Sequence, residues 1–158
     1  MQASPKYSKE IWHEDKRIIV TPHAVERIAQ RLGWSKQFYR ATLTEICFKY
    51  WDQLVDPELV GFKFIYKGVE WRFEISNSQT IILKTVVEHN RKGLHKDIRN
   101  LIRYYNSLNP NDERKKSLYK RIQNLVNENP AIFFIERKKG VSERVKLHIP
   151  TLKFHTPM

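Results

Sequence analysis

The stretch from residue 62 to residue 75 constrains this chain more than any other. Phe62, Phe64 and Tyr66 alternate with Lys63, Ile65 and Lys67; after Gly68, Val69, Trp71, Phe73 and Ile75 alternate with Glu70, Arg72 and Glu74. A period of two puts the aromatic set on one face of a strand and the charged set on the other. Two such runs joined at Lys67-Gly68 predict an antiparallel hairpin, one face on a core and one toward water. Ser76-Asn77-Ser78 turns the chain again. Residues 80–88, β-branched and more apolar, predict a third strand in a central position. Other elements must cover the aromatic side of this meander.

The segment before the meander supplies helices. Residues 1–15 are polar and read as extended, and 17–20 as a short strand. Thr21-Pro22 then marks a helix start, because Thr caps well and Pro at the first helical position loses no needed hydrogen bond. Residues 22–32 carry Ala24, Val25, Ile28, Ala29 and Leu32 on one face and His23, Arg27, Gln30 and Arg31 on the other, until Gly33. Ser35 caps a second predicted helix running to about Leu54, with Tyr39, Leu43, Ile46, Cys47, Tyr50 and Leu54 as its stripe.

After the meander the pattern changes. A loop over 90–93, a helix over 96–108, a helix from 109 to about 129, and a hairpin from 132–136 and 144–149 are predicted, with an extended tail over 150–158. This is an α+β order, not a repeating βαβ pattern. Residues 1–16 read as an N-terminal extension, 17–90 as a core unit, and 91–158 as a basic helical and hairpin elaboration packed on that core.

Charge points to the partner. The chain has 158 residues with 29 Lys and Arg against 17 Asp and Glu, a formal net charge of +12. Such a balance suits a polyphosphate. Between His89 and Arg121 ten basic residues face three acidic ones. A single cysteine, Cys47, excludes an internal disulfide and agrees with a reducing, cytoplasmic setting. No apolar run approaches the length of a membrane span, so a membrane partner is not expected. No zinc-ligand spacing or glycine-rich phosphate loop is present, and no cofactor is expected. Asp56 with Glu70-Trp71-Arg72 follows in part the Asp…Glu-x-Lys arrangement of metal-dependent nucleases, with Arg in place of Lys.

The run Thr21–Arg31, TPHAVERIAQR, holds His23-Ala24-Val25-Glu26-Arg27 with Arg31 one turn on. Followed by a second helix and a three-strand meander, it resembles the small His-Ala-x-x-Arg helix proteins allied to the RelE-like metal-independent ribonucleases, the RegB-type phage endoribonuclease among them. The resemblance covers about residues 17–89. It implies two helices laid on an antiparallel meander and RNA cleavage by 2′-hydroxyl transesterification.

That chemistry needs a base, an acid and positive charge for the developing phosphorane. His23 is the acid/base candidate, and Arg27, Arg31 and Arg72 the charge stabilisers. Spacing of i, i+4 and i+8 sets His23, Arg27 and Arg31 along one helix flank. Thr85 and His89 on and after the last meander strand complete the catalytic candidates. Arg72 has an alternative role in pairing across strands with a neighbouring acid. For contacts to the nucleic acid, the candidates are Lys84, Arg91, Lys92, Lys96, Arg99 and Arg103, with Tyr104 as a stacking surface for an unpaired base. Lys96, Arg99 and Arg103 are expected on one exposed helix face, opposite Ile98, Leu101, Ile102 and Tyr105. Lys138, Lys139 and Arg144 add charge on the last hairpin. RNA is favoured over DNA, and the competing function is a nucleic-acid-binding protein without catalysis.

Overall fold

A computed structural model describes residues 9–88, 93–129, 131–137 and 142–145, with the backbone alone for 93–95 and 142–145. The meander forms as its alternation predicts. Strands β3 (Leu59–Tyr66), β4 (Val69–Asn77) and β5 (Thr80–Glu88) are antiparallel neighbours, with Phe64 opposite Trp71 and Phe62 opposite Phe73. Lys67 and Gly68 both take positive φ, 56° and 77°. That backbone suits a two-residue turn whose twist matches its strands. Gly61 meets a close approach of β4, since a Cβ there would lie 2.6 Å from the Phe73 carbonyl oxygen.

The sheet is wider than the meander. Strands β1 (Lys9–His13) and β2 (Lys16–Val20) form a hairpin, and β2 runs parallel to β5. β1 is a strand that polarity alone does not mark; it pairs Ile11 with Ile18 and buries both. At the other edge, β6 (Ile132–Arg137) pairs antiparallel with β3, and β7 (Ser142–Val145) with β6. Seven strands thus take the order β1-β2-β5-β4-β3-β6-β7, and β5 is internal as expected.

The helices differ from the sequence pattern in their continuity. α1 (Pro22–Arg27) starts at Thr21, whose hydroxyl oxygen accepts from the Ala24 amide at 3.1 Å. It then widens into a π-helical turn, Ile28–Leu32, closed by Gly33. An i→i+5 turn rotates the downstream residues relative to an α-helix. Ala29 is exposed rather than part of the apolar stripe, while Ala24, Ile28 and Leu32 are buried at i, i+4 spacing. The second expected helix is likewise broken into α2 (Lys36–Leu43), a π turn (Thr44–Phe48) and α3 (Trp51–Leu54). All six residues of its predicted stripe are buried regardless. α4 (Gly93–Ser107) and α5 (Arg114–Glu128) come after the meander.

One apolar cluster joins these parts. It takes Ile18, Val20, Leu83, Val86, Trp71 and Phe64 from the sheet. From the helical segments it takes Ala24, Ile28, Phe38, Leu43, Ile102 and Ile122. The helices therefore share one face of the sheet, and this is an α+β arrangement of two layers. The alternate residues, among them Arg17, Lys63, Glu70, Arg72, Glu74 and Thr85, line the opposite face and are half-buried or exposed.

Candidate nucleic-acid interface

The flank of α1 is placed by its cap. Thr21 ties the helix start to β5, donating toward the carbonyl oxygens of Leu83 and Lys84 at 3.2 Å each. His23 lies exposed in the first turn, with Arg27 half-buried one turn on. Glu26 accepts from Gln30 at 2.9 Å, and Arg27 has no carboxylate partner among the described residues. Arg31 lies inside the π turn, and its Nη1 donates to the Val86 carbonyl oxygen at 3.4 Å.

The meander candidates do not join this flank. Arg72 and Thr85 are register partners facing away from the buried pair Trp71 and Val86. α1 packs on the Trp71 side, so the sheet stands between His23 and Arg72. Arg72 Nε donates to Glu70, two residues earlier on the same strand face. Lys84 sits in a bulge, where the β4–β5 register skips a residue, and pairs with Glu74 at 3.2 Å. Arg72 does pair with an acid, but along its own strand rather than across strands as expected. His89, Arg91 and Lys92 lie outside the described residues, as do Lys138, Lys139, His148, His155 and the side chains of His95 and Arg144.

On α4 the expected exposed cationic face holds for Lys96 and Arg103 and is corrected at Arg99. Lys96 is exposed. Arg99 is 2% exposed, donates to the Gly68 carbonyl oxygen at 2.7 Å, and pairs with Glu88 at 3.4 Å. Burial pushes its pKa down and Glu88 opposes that. Arg99 flanks the apolar stripe of Ile98 and Ile102 closely enough to be carried into the contact with the β3–β4 turn. Arg103 is spent on backbone: its Nε donates to Leu32 O at 2.9 Å and its Nη2 to Arg31 O at 2.7 Å, near the end of the π turn. A helix end leaves such carbonyls without intrahelical partners. Charge reversal at these two arginines therefore tests folding before it tests binding. Tyr104 is exposed at 43%, and its hydroxyl accepts from Arg114 at 2.9 Å. Asp112 holds Arg114 in turn, and those bonds take the Asp112 pKa down to about 2. Tyr105, the core-packing alternative, is buried over Lys115 and Tyr119.

Sequence reasoning missed a buried polar cluster. Lys67, at the tip of the β3–β4 hairpin, is 2% exposed. Its Nζ donates to Thr42 Oγ1 at 2.9 Å and lies 3.5 Å from Glu45 Oε1. Tyr66 donates to Glu45 Oε2 at 3.1 Å. Burial, then Glu45, push the Tyr66 pKa well up, and burial lowers that of Lys67. Glu45 Oε1 and Tyr50 OH are buried without a hydrogen bond. The alternation put Lys67 on the polar side, but a positive φ at the turn reverses where its side chain goes.

Sequence reasoning placed Lys116, Lys120 and Arg121 in the basic segment 89–121 but missed Lys36 and Arg40 as part of the unpaired charge. On the open face of the sheet Arg17 pairs with Glu10 at 3.1 Å, Lys63 with Glu70 at 3.8 Å, Lys84 with Glu74, and Arg72 with Glu70. On the outer helix faces Lys36, Arg40, Lys116, Lys120 and Arg121 are exposed, with no carboxylate at ion-pair distance among the described residues. The usable signal was spacing, since Lys36/Arg40 and Lys116/Lys120 are i, i+4 pairs opposite buried stripes.

A depression of about 740 Å³ at the end of the sheet away from the Lys67 turn carries Asp56, Glu74 and Glu136 against Lys84. Three carboxylates and one already paired lysine make it unsuited to a polyanion. Asp56 precedes β3, and Glu70 faces Ile65 at its far end. At about 3.4 Å per residue that is roughly 20 Å, so these acids do not converge on a metal. Among the described residues no group of three His, Cys, Asp or Glu side chains could hold one, and no helix is long and apolar enough to cross a membrane. The chain matches no protein-family model, and neither a curated protein nor a solved structure matches it.

Proposed function

We propose that this protein binds a nucleic acid through the outer faces of its helices. The observation that carries the reading is the sorting of charge: cations on the open sheet face are paired with carboxylates, while Lys36, Arg40, Lys116, Lys120 and Arg121 on α2 and α5 are not. Unpaired, solvated cations are those that can displace counterions from phosphates. About six such contacts imply a log–log slope of affinity against salt near −5 on a duplex and −4 on a single strand. The test is fluorescence anisotropy with labelled oligonucleotides across a salt series. A flat response removes nucleic acid as the partner.

A second reading is metal-independent RNA cleavage, with the RelE-like arrangement as its fold. The order strand, two helical segments and meander over residues 16–88 favours it, as does exposed His23 beside Arg27 on one flank. In this reading His23 moves the proton and Arg27 holds the phosphate, without Arg72 or Thr85. Losing a positioned acid or base costs about 10²–10⁴ in rate, so His23→Ala abolishes most cleavage while EDTA changes nothing, and products end in 2′,3′-cyclic phosphate. Full activity in His23→Ala, or dependence on added metal, removes this reading.

A further inference from the structure

We infer that the bound nucleic acid is a duplex, gripped by its phosphate backbone along α5, and not an unpaired strand read by stacking. The inference rests on the binding function proposed above and names its substrate class. α5 presents Lys116, Ser117, Lys120, Arg121 and Asn124 to solvent, while Ile122 and Val126 are buried beneath. Its 15 residues span about 22 Å. Ammonium, guanidinium, hydroxyl and amide groups are the donors that contact phosphate and sugar. No acid lies between Lys116 and Asn124; Glu113 precedes the helix and Glu128 ends it.

Binding an unpaired strand needs exposed ring faces in a basic groove, because stacking carries much of its affinity. The helix layer withholds them. Trp34, Phe38, Tyr39, Tyr50, Trp51 and Tyr105 are all buried. Tyr104 is the one large aromatic among the described residues of this layer that is exposed, at 43%. Its ring lies 5.9 Å from the Arg114 guanidinium and its hydroxyl is bonded to the same arginine. Trp12, the other exposed aromatic among the described residues, sits on β1 beside Arg17, on the open sheet face. Cations without aromatics match a regular double helix, whose phosphates are presented in rows and whose bases are stacked inside.

The experiment measures the intact chain against three labelled probes of equal length: an RNA duplex, a DNA duplex, and oligouridylate as an unstructured strand. Duplex affinity is expected to exceed that for oligouridylate by about tenfold at equal salt, and the two duplex arms report whether the 2′-hydroxyl matters. In the triple variant Lys116→Ala/Lys120→Ala/Arg121→Ala the DNA-duplex salt slope falls by about 2.7, at about 0.9 per lost contact. Tyr104→Ala leaves affinity within about twofold, whereas a stacking mode loses about tenfold or more. Circular dichroism checks that each variant keeps its helices. Equal or tighter binding of oligouridylate, or a large loss in Tyr104→Ala, overturns the duplex inference and leaves nucleic-acid binding standing. Salt-insensitive binding, or none to any probe, overturns both.

Discussion

The two sides of the sheet handle positive charge in opposite ways. On the open face each of the cations Arg17, Lys63, Arg72 and Lys84 lies beside a carboxylate, Lys63 and Arg72 sharing Glu70, so most of the charge there is offset locally. On the helix side cations fall into two extremes. Lys67 and Arg99 are buried with internal partners, and the exposed Arg103 is bonded to the Leu32 and Arg31 carbonyl oxygens. Lys36, Arg40, Lys116, Lys120 and Arg121 are left to solvent. Net charge alone does not distinguish these uses. A paired surface cation, a swallowed one and a free one all count as +1, yet only the free one can attract phosphate without first losing a partner.

The strongest way to break this comparison is at Lys67. Lys67→Met leaves the Glu45 carboxylate buried with the Tyr66 hydroxyl, and losing one partner of a buried ion pair costs about 3–5 kcal/mol. Urea denaturation should report that loss. A loss below about 1 kcal/mol, the range of exposed pairs, would put Lys67 in the same class as the open-face cations. Arg99→Ala comes next. It orphans the Gly68 carbonyl oxygen under α4, and an unsatisfied buried acceptor costs about 1–3 kcal/mol. Unchanged denaturation in that variant would return Arg99 to the exposed cationic face.

Tyr66 sharpens the comparison through pH. Its folded pKa lies above the ordinary value of 10.0. As pH rises through that value the unfolded tyrosine ionises first, so the folded state holds more protons and stability falls. Each unit of pH in that window removes up to about 1.4 kcal/mol. Tyr66→Phe deletes this component. The stability difference between the parent and Tyr66→Phe should therefore shift in favour of the variant above pH 10, and a pH-independent difference contradicts the buried bond to Glu45.

The smallest effects belong to the outermost charges. Lys63→Ala and Lys84→Ala on the open face, and Lys116→Ala and Lys120→Ala on α5, should each change stability by about 0.5 kcal/mol or less, because exposed charges contribute little. The two pairs separate in binding: the α5 variants weaken duplex affinity and lower the salt slope, while the open-face variants do neither. Equal effects from both faces would erase the distinction on which the proposed interface stands.

Much of this fold is legible in residues 17–88. Alternation over 62–75 specified β3, β4 and their turn, because a one-residue slip would send Trp71 and Phe73 to water. Thr21-Pro22 and Ser35 specified helix starts, because each hydroxyl caps an amide three residues on. The π turns were not legible. The buried positions Ala24, Ile28 and Leu32 keep the i, i+4 spacing of an α-helix, so the pattern does not mark the first of them. β1 was hidden because its partner β2 supplies the pairing that its own polar sequence lacks.

The candidate site was less legible, for a reason of the same kind. His23 and Arg27 lie on one exposed flank because that is fixed within a single helix. Whether Arg72 faces the same phosphate depends on which side of the sheet the helix covers, and strand alternation leaves that open. Whether Arg99 is a phosphate contact or a core bond depends on the Gly68 carbonyl, 31 residues away. Sequence by itself determined the α+β class, the meander, the helix caps and the excess of positive charge, all local or summed properties. Tertiary structure alone decided how that charge is spent, because pairing and burial are set by neighbours remote in the chain: Glu45 for Lys67, Glu88 for Arg99, and no carboxylate at ion-pair distance for Lys116, Lys120 and Arg121 among the described residues.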